Sequence, residues 1–171
     1  MIQTEIYQLI AFLLRNIGGS LGIALRNSFY RFAGAKIGKN VIIRENVIIY
    51  RPYNLELKDG AEIGFGTVIS AVEKIRLGKE AAIGPYCAIY DNNHKMPKVS
   101  GDGGLITKPV EIKDFAWVGT HSIILKGVTI GSNATVGAGS VVMTDVPDNS
   151  VVVGNPARII KQNAPKKEDV K

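Results

Sequence analysis

His94 and His121 are the only histidines of the chain, and Cys87 is its only cysteine. An imidazole can take a hydroxyl proton near neutral pH, and a thiolate can act as a nucleophile. His94 lies in the run Tyr90-Asp91-Asn92-Asn93-His94-Lys95-Met96-Pro97, followed by a glycine-rich stretch from Ser100 to Gly104. Taken alone, a loop histidine reads as solvated surface. Asp91, Asn92 and Asn93 could orient the imidazole or a bound substrate, and such clusters also simply make turns. Cys87 has no activating residue beside it in the sequence and reads as filler in a core.

What holds these residues is a chain of 171 residues, enough for one domain with a short extension. A content of 46% apolar residues excludes a disordered protein, and one cysteine excludes an internal disulfide framework. The net charge of +6 is too diffuse for a dedicated nucleic-acid binder. The excess is concentrated in residues 1–51, where Arg15, Arg26, Arg31, Lys36, Lys39, Arg44 and Arg51 face only Glu5 and Glu45. In the same region Ile2, Ile6, Leu9, Leu13 and Ile17 form one helical stripe, and Leu21, Leu25, Phe29 and Phe32 a second. Asn16 to Ser20 separates them. Two uses fit: a cap that buries both apolar faces on the end of the main domain, or a helix pair lying in a membrane interface with arginines toward lipid phosphates. Arg15 and Arg26 break the apolar runs well short of a membrane span, and Glu5 with a short apolar run argues against a secretory signal. A cytoplasmic location is the expectation, with peripheral contact at the inner face of the membrane as an extension of it.

From Ile37 onward the chain counts in sixes. Ile112, Val118, Ile124, Ile130, Val136 and Val142 are each six apart, and four residues after each stands a small or β-branched residue, from Ala116 to Val146. The rhythm also runs through Ile37 and Ile43, Ile63 and Ile69, and Leu77, Ile83 and Ile89, slipping by two residues at Leu55/Leu57 and Ile75/Leu77. A six-residue period fits a short strand and a turn, one aliphatic side chain pointing inward per strand. Three units make a coil of triangular section. Glycine after the aliphatic position, as at Gly119, Gly131 and Gly137, is expected to relieve a turn of positive φ.

These motifs resemble the hexapeptide-repeat acyltransferases. The match covers about residues 36–162 and is most specific in Ala116-Trp117-Val118-Gly119-Thr120-His121, Gly127 to Gly131, Gly137 to Val142, Val146-Pro147 and Gly154-Asn155-Pro156-Ala157-Arg158. This string is similar to the sugar O-acetyltransferase and surface-polysaccharide acetyltransferase branch. The resemblance implies an all-β fold, a left-handed parallel β-helix of hexapeptide repeats. Its expected divisions are a helical cap or extension (1–34), the β-helix (35–162, with loop 92–109 protruding) and a disordered basic tail (163–171).

The resemblance also implies an activity: acetyl-CoA-dependent O-acetylation of a sugar hydroxyl by direct transfer. His94 falls at the family's general base, which reverses the surface reading of that residue, and Asp91, Asn92 and Asn93 become candidates for acceptor binding. Thr120 and Ala138 are expected along the pantetheine arm, with Gly119 and Gly137 permitting close approach and Arg158 and Lys161 near the nucleotide phosphates. His121 looks like family scaffold. Family members are homotrimers with sites between subunits, so the expected partners are copies of the chain and a sugar acceptor, free or lipid-linked. No metal is expected, because two histidines cannot supply the three-histidine zinc set known on this fold. Amino-sugar N-acetylation, antibiotic acetylation and a non-catalytic scaffold stand as alternatives.

Overall fold

A computed structural model describes residues 2–95 and 104–162, with side chains from residue 6 onward. The expected tail (163–171) and the middle of the expected loop, residues 96–103, lie outside the described residues. The six-residue rhythm closes into a left-handed parallel β-helix of about five turns. Its first face stacks Lys36–Ile37, Leu55–Leu57, Ile75–Leu77, Val110–Ile112 and Thr129–Ile130. The second stacks Ile42–Ile43, Glu62–Ile63, Ala82–Ile83, Trp117–Val118, Thr135–Val136 and Ser150–Val153, with Arg158–Gln162 added antiparallel at its end. The third stacks Ile48–Tyr50, Val68–Ser70, Ala88–Tyr90, Ile123–Ile124 and Val141–Val142.

The register explains the slips in the rhythm. On the first face Ile37 pairs with Leu57 and Leu57 with Leu77, so the early coils carry two residues more than the coil from Ile112 to Ile130. Both Leu55 and Leu57 point inward, as do Ile75 and Leu77, so the extra residues lengthen a strand without reversing its face. Ile43, Ile63, Ile83, Val118, Val136 and Val152 stack up the inside of the second face, each 3% exposed or less. Each such side chain contributes about 1.5–3 kcal/mol by leaving water.

The glycines play a different part from the one expected. Between Ile112 and Val142 the left-handed residues are Phe115, His121, Gly127, Asn133 and Gly139, six apart at the second place of each turn, while Gly119, Gly131 and Gly137 lie outside that region. Those three are glycine because the next coil is too close. A Cβ on Gly119 would stand 2.7 Å from the backbone nitrogen of Ala138, and one on Gly131 2.4 Å from that of Asp148.

Two 14-residue helices precede the coils, α1 (Ile2–Arg15) and α2 (Gly19–Phe32). The face of α2 turned to the first coil carries Gly22, Arg26, Asn27 and Tyr30. Arg26, 1% exposed, donates to the carbonyls of Ile43, Leu14 and Ile17. Asn27 donates to Val41, Arg31 to Ile37 and Gly38, and Tyr7 to Ile49. The first coil has no coil before it, so its outward carbonyls need donors, and these polar side chains supply them. The expected burial of both apolar stripes is therefore corrected: Ile6, Leu9, Leu13, Leu21, Leu25 and Phe32 are all exposed. Among the described residues, no helix is long and apolar enough to cross a membrane.

Candidate active site

After Tyr90 the chain leaves the third face, and Asn92–His94 pairs antiparallel with Leu105–Thr107, His94 opposite Leu105. This ribbon is the described part of the expected loop. It grows from the corner between the third and first faces, because the chain re-enters the helix at Val110–Ile112. Asp91 anchors it. It is fully buried, and its carboxylate accepts the backbone N–H groups of Val72, Glu73 and Lys74 at 2.7–2.8 Å. Its carbonyl accepts from the Lys108 N–H at 2.8 Å, which ties the two legs of the ribbon together. The Asn92 amide donates to the carbonyl and hydroxyl of Ser70 and to Asp91. Asn93 and His94 are exposed, and the His94 backbone N–H donates to the Asn93 side chain. The His94 ring is thus presented to solvent on a strand whose root is fully hydrogen bonded.

A second group forms at the corner between the second and third faces. The register pairs Ile83 with Val118 and Val118 with Val136, so Gly84, Gly119 and Gly137 stack along the helix axis. Beside them stand Pro85, Thr120 and Ala138. The Thr120 hydroxyl donates to the Pro85 carbonyl at 2.7 Å, and Gly139 N–H donates to the Thr120 carbonyl. Among the described residues, the backbone N–H groups of Thr120 and Ala138 meet no protein acceptor. His121 holds φ +58°, stacks on Tyr86 with ring centroids 5.2 Å apart, and has Nδ1 3.1 Å from the Thr120 hydroxyl. Cys87 sits under this corner, 1% exposed, its Sγ 3.2 Å from the Gly119 carbonyl oxygen, and burial pushes its thiol up. A buried thiol of raised pKa is a poor nucleophile.

The glycine row leads to the basic strand. A Cβ on Gly137 would meet the Val153 side chain at 2.6 Å, and Val153 pairs with Arg158. Gly119, Gly137, Val153 and Arg158 are therefore successive steps along one edge, three strand spacings or roughly 14 Å in all. Lys161 lies further along the same exposed strand, opposite Val151. The structure thus brings Gly119, Thr120, Gly137, Ala138 and Arg158 into one line. It does not bring His94 to that line within one chain, for the two lie at opposite ends of the third face. Among the described residues, no three His, Cys, Asp or Glu side chains gather as a metal site.

Residues 109–143 match the family described as bacterial transferase hexapeptide (six repeats). Nodulation protein L of Rhizobium meliloti (strain 1021) is 39% identical over 132 residues, which are 77% of this chain and 72% of that protein. WcaF of Escherichia coli (strain K12), a candidate colanic acid biosynthesis acetyltransferase, is 35% identical over 132 residues, 77% of this chain and 71% of that one. The chain belongs to the hexapeptide-repeat acetyltransferase family. It is accordingly an acyltransferase by family. The relatives vary in length: the chain spans only 44% of Rv3034c, a candidate acetyltransferase of Mycobacterium tuberculosis that is 32% identical. Among solved structures, a maltose O-acetyltransferase from Clostridium difficile 630 is 31% identical, with a TM-score of 0.83 over 94% of this chain and 86% of that one. VCA0836 from Vibrio cholerae, in complex with acetyl coenzyme A, is 27% identical, with a TM-score of 0.81 over 94% and 88% of the two chains.

Sequence reasoning missed the partners that support these residues: Ser70 under Asn92, the Tyr86 ring under His121, and the three amides around Asp91. Ser70, Tyr90 and Tyr50 lie twenty residues apart on the third face, and that early period was the available signal for Ser70.

Proposed function

We propose that the chain transfers acetyl from acetyl-CoA to a sugar hydroxyl in the building of a surface polysaccharide, with His94 as general base. The observation that carries this reading is the axial line from Thr120 and Ala138, with their free amides, to Arg158. An extended pantetheine arm has amide carbonyls to offer those donors, and its phosphates would meet Arg158 and Lys161. Gly119 and Gly137 keep the coils close enough for the two amides to be neighbours. VCA0836, of similar fold, is a complex with acetyl coenzyme A, and the names of the maltose O-acetyltransferase and of WcaF support a sugar acceptor and a polysaccharide.

The chemistry is direct. The imidazole of His94 takes the proton of the acceptor hydroxyl as its oxygen attacks the thioester carbonyl. The carbon–sulfur bond then breaks, and the leaving thiolate takes that proton back from the imidazolium. Asn93 and Asn92 flank the acceptor, while Asp91 fixes the root of the ribbon. Because His94 and the Thr120–Ala138 line stand at opposite ends of one face, the site is completed between copies. His94 of one protomer faces the line of the next, as a cyclic trimer allows. A cytoplasmic location accords with acetyl-CoA as donor.

Calorimetric titration with acetyl-CoA, run beside a thiol-release assay over a panel of mono- and disaccharides, tests this reading. Wild type and His94→Ala should both bind acetyl-CoA, and the variant should turn over about 10²–10⁴-fold more slowly. Full turnover in the variant would remove His94 from the chemistry. Failure of both proteins to bind, while folded, would leave a non-catalytic scaffold.

A further inference from the structure

We infer that the N-terminal end of the molecule seats on an anionic lipid bilayer, with α1 and α2 lying in the interface plane. The first observation is the inverted cap. α2 meets the coil through Arg26, Asn27 and Tyr30, which leaves Leu21, Leu25 and Phe32 facing out, and Phe32 is 93% exposed. α1 exposes Ile6, Leu9 and Leu13. The two stripes join: Ile6 and Ile10 share with Phe29, Phe32, Tyr50 and Tyr53 the walls of one cleft of roughly 730 Å³. Exposed aliphatic residues also occur elsewhere, as at Ile123, Ile159 and Ile160, but a continuous apolar surface spanning two helices and a cleft marks an interaction face.

The second observation is its charge. Residues 1–51 hold seven basic and two acidic side chains, and one of the basic ones, Arg26, is consumed inside the cap. Of the acids, Glu45 already accepts the Gly19 N–H and lies 3.7 Å from Arg26. Arg44 is paired with Glu62 at 3.0 Å, while Arg31, Lys36, Lys39 and Arg51 remain exposed around this end, and Arg51 lines the cleft itself. A second copy docked face to face would set like charges against each other, whereas anionic headgroups complement them. Helices of 14 residues are about 21 Å long, too short for a hydrocarbon core of about 30 Å, so they lie along the surface rather than across it.

Flotation of the full chain with vesicles decides it. The protein should float with phosphatidylglycerol–phosphatidylcholine vesicles and at least tenfold less with phosphatidylcholine alone, and raising salt to about 0.5 M should weaken the binding. Leu9→Asp with Leu13→Asp should lower binding at least tenfold while acetyl-CoA binding and the circular dichroism spectrum stay as in wild type. Phe32→Ser, at the most exposed apolar position of α2, should lower it in the same direction. Absence of flotation with anionic vesicles, or equal flotation of wild type and these variants, would overturn the inference. So would a doubling of molecular mass with concentration that Phe32→Ser abolishes, since a second copy would then cover the face. The readout involves no acyl transfer, so its failure leaves the transferase reading standing.

Discussion

Asp91→Asn tests how the ribbon that carries His94 is held. Each oxygen of the buried carboxylate serves two donors. Oδ1 accepts from the Val72 N–H and the Asn92 amide, and Oδ2 from the Glu73 and Lys74 N–H groups. Asparagine replaces one oxygen by an NH₂ group, and in either orientation that group opposes two donors. A hydrogen bond to a charged group is worth about 1.5–3 kcal/mol, so two lost at the low end come to about 3 kcal/mol. The loss falls on the 71–74 corner and the ribbon root, which open locally before the whole coil does. At about 1.4 kcal/mol per decade, amide exchange in a peptide spanning 71–75 should quicken roughly 100-fold. Mass spectrometry of native-state exchange reads this directly, with His94→Ala as a control that leaves the same amides protected. Turnover should fall with it, since the His94 strand shares the anchor. Exchange within threefold of wild type would refute the anchoring argument, whatever happened to activity.

Two further outcomes follow from the packing and the charges. Gly119→Ala puts a Cβ 2.7 Å from Ala138 N and 2.8 Å from Val136 O, both backbone atoms that cannot swing aside. It should cost about 1–3 kcal/mol and lower acetyl-CoA affinity, read by thermal unfolding and calorimetry; an unchanged melting point would mean the coils have slack there. Glu45 is held below the usual carboxylate range by hydrogen bonds from its own backbone N–H and from Gly19 and by the Arg26 charge, which together outweigh desolvation. A depressed folded pKa gives stability that is fully present above the unfolded value, about 4.3, and is lost as pH falls through the folded one. The melting-point advantage over Glu45→Gln should therefore hold at neutral pH and vanish in acid. A difference that stays constant down to about pH 3 would show that Glu45 is not linked to folding.

The period of six made the three faces and the inward residues legible, because every strand must place one aliphatic side chain inside and any miss would leave a void. The line Gly119, Gly137 and Arg158 was legible only through family resemblance, since its members are brought together by register and not by spacing. The conformation of the turns was not legible from glycine. Phe115, His121 and Asn133 take positive φ as readily as Gly127 and Gly139, and what identifies the position is its phase in the repeat. Asp91 was hidden for another reason. In an Asx-rich run every residue can turn a chain, and only the three converging amides distinguish the anchor from its neighbours.

The N-terminal helices show most clearly why a hydrophobic stripe does not by itself name the buried face. Periodicity reports that one side of a helix is apolar, and burial on the nearest domain is the usual inference. The end of a β-helix is not an apolar surface, however. Its last strands show a ring of carbonyl and amide groups, and an aliphatic cover would leave those groups dry and unpaired at about 1–3 kcal/mol each. The face that can close such an end is one that carries donors. In α2 those donors are Arg26, Asn27 and Arg31, with Tyr30 beside them filling the core edge, and they are interleaved in sequence with the stripe. Once the polar side is turned inward, helix geometry obliges the apolar side to face elsewhere. The outward stripe is thus a consequence of the coil's own unpaired edge, and a sequence that needed only a cap would have had no reason to keep it leucine-rich.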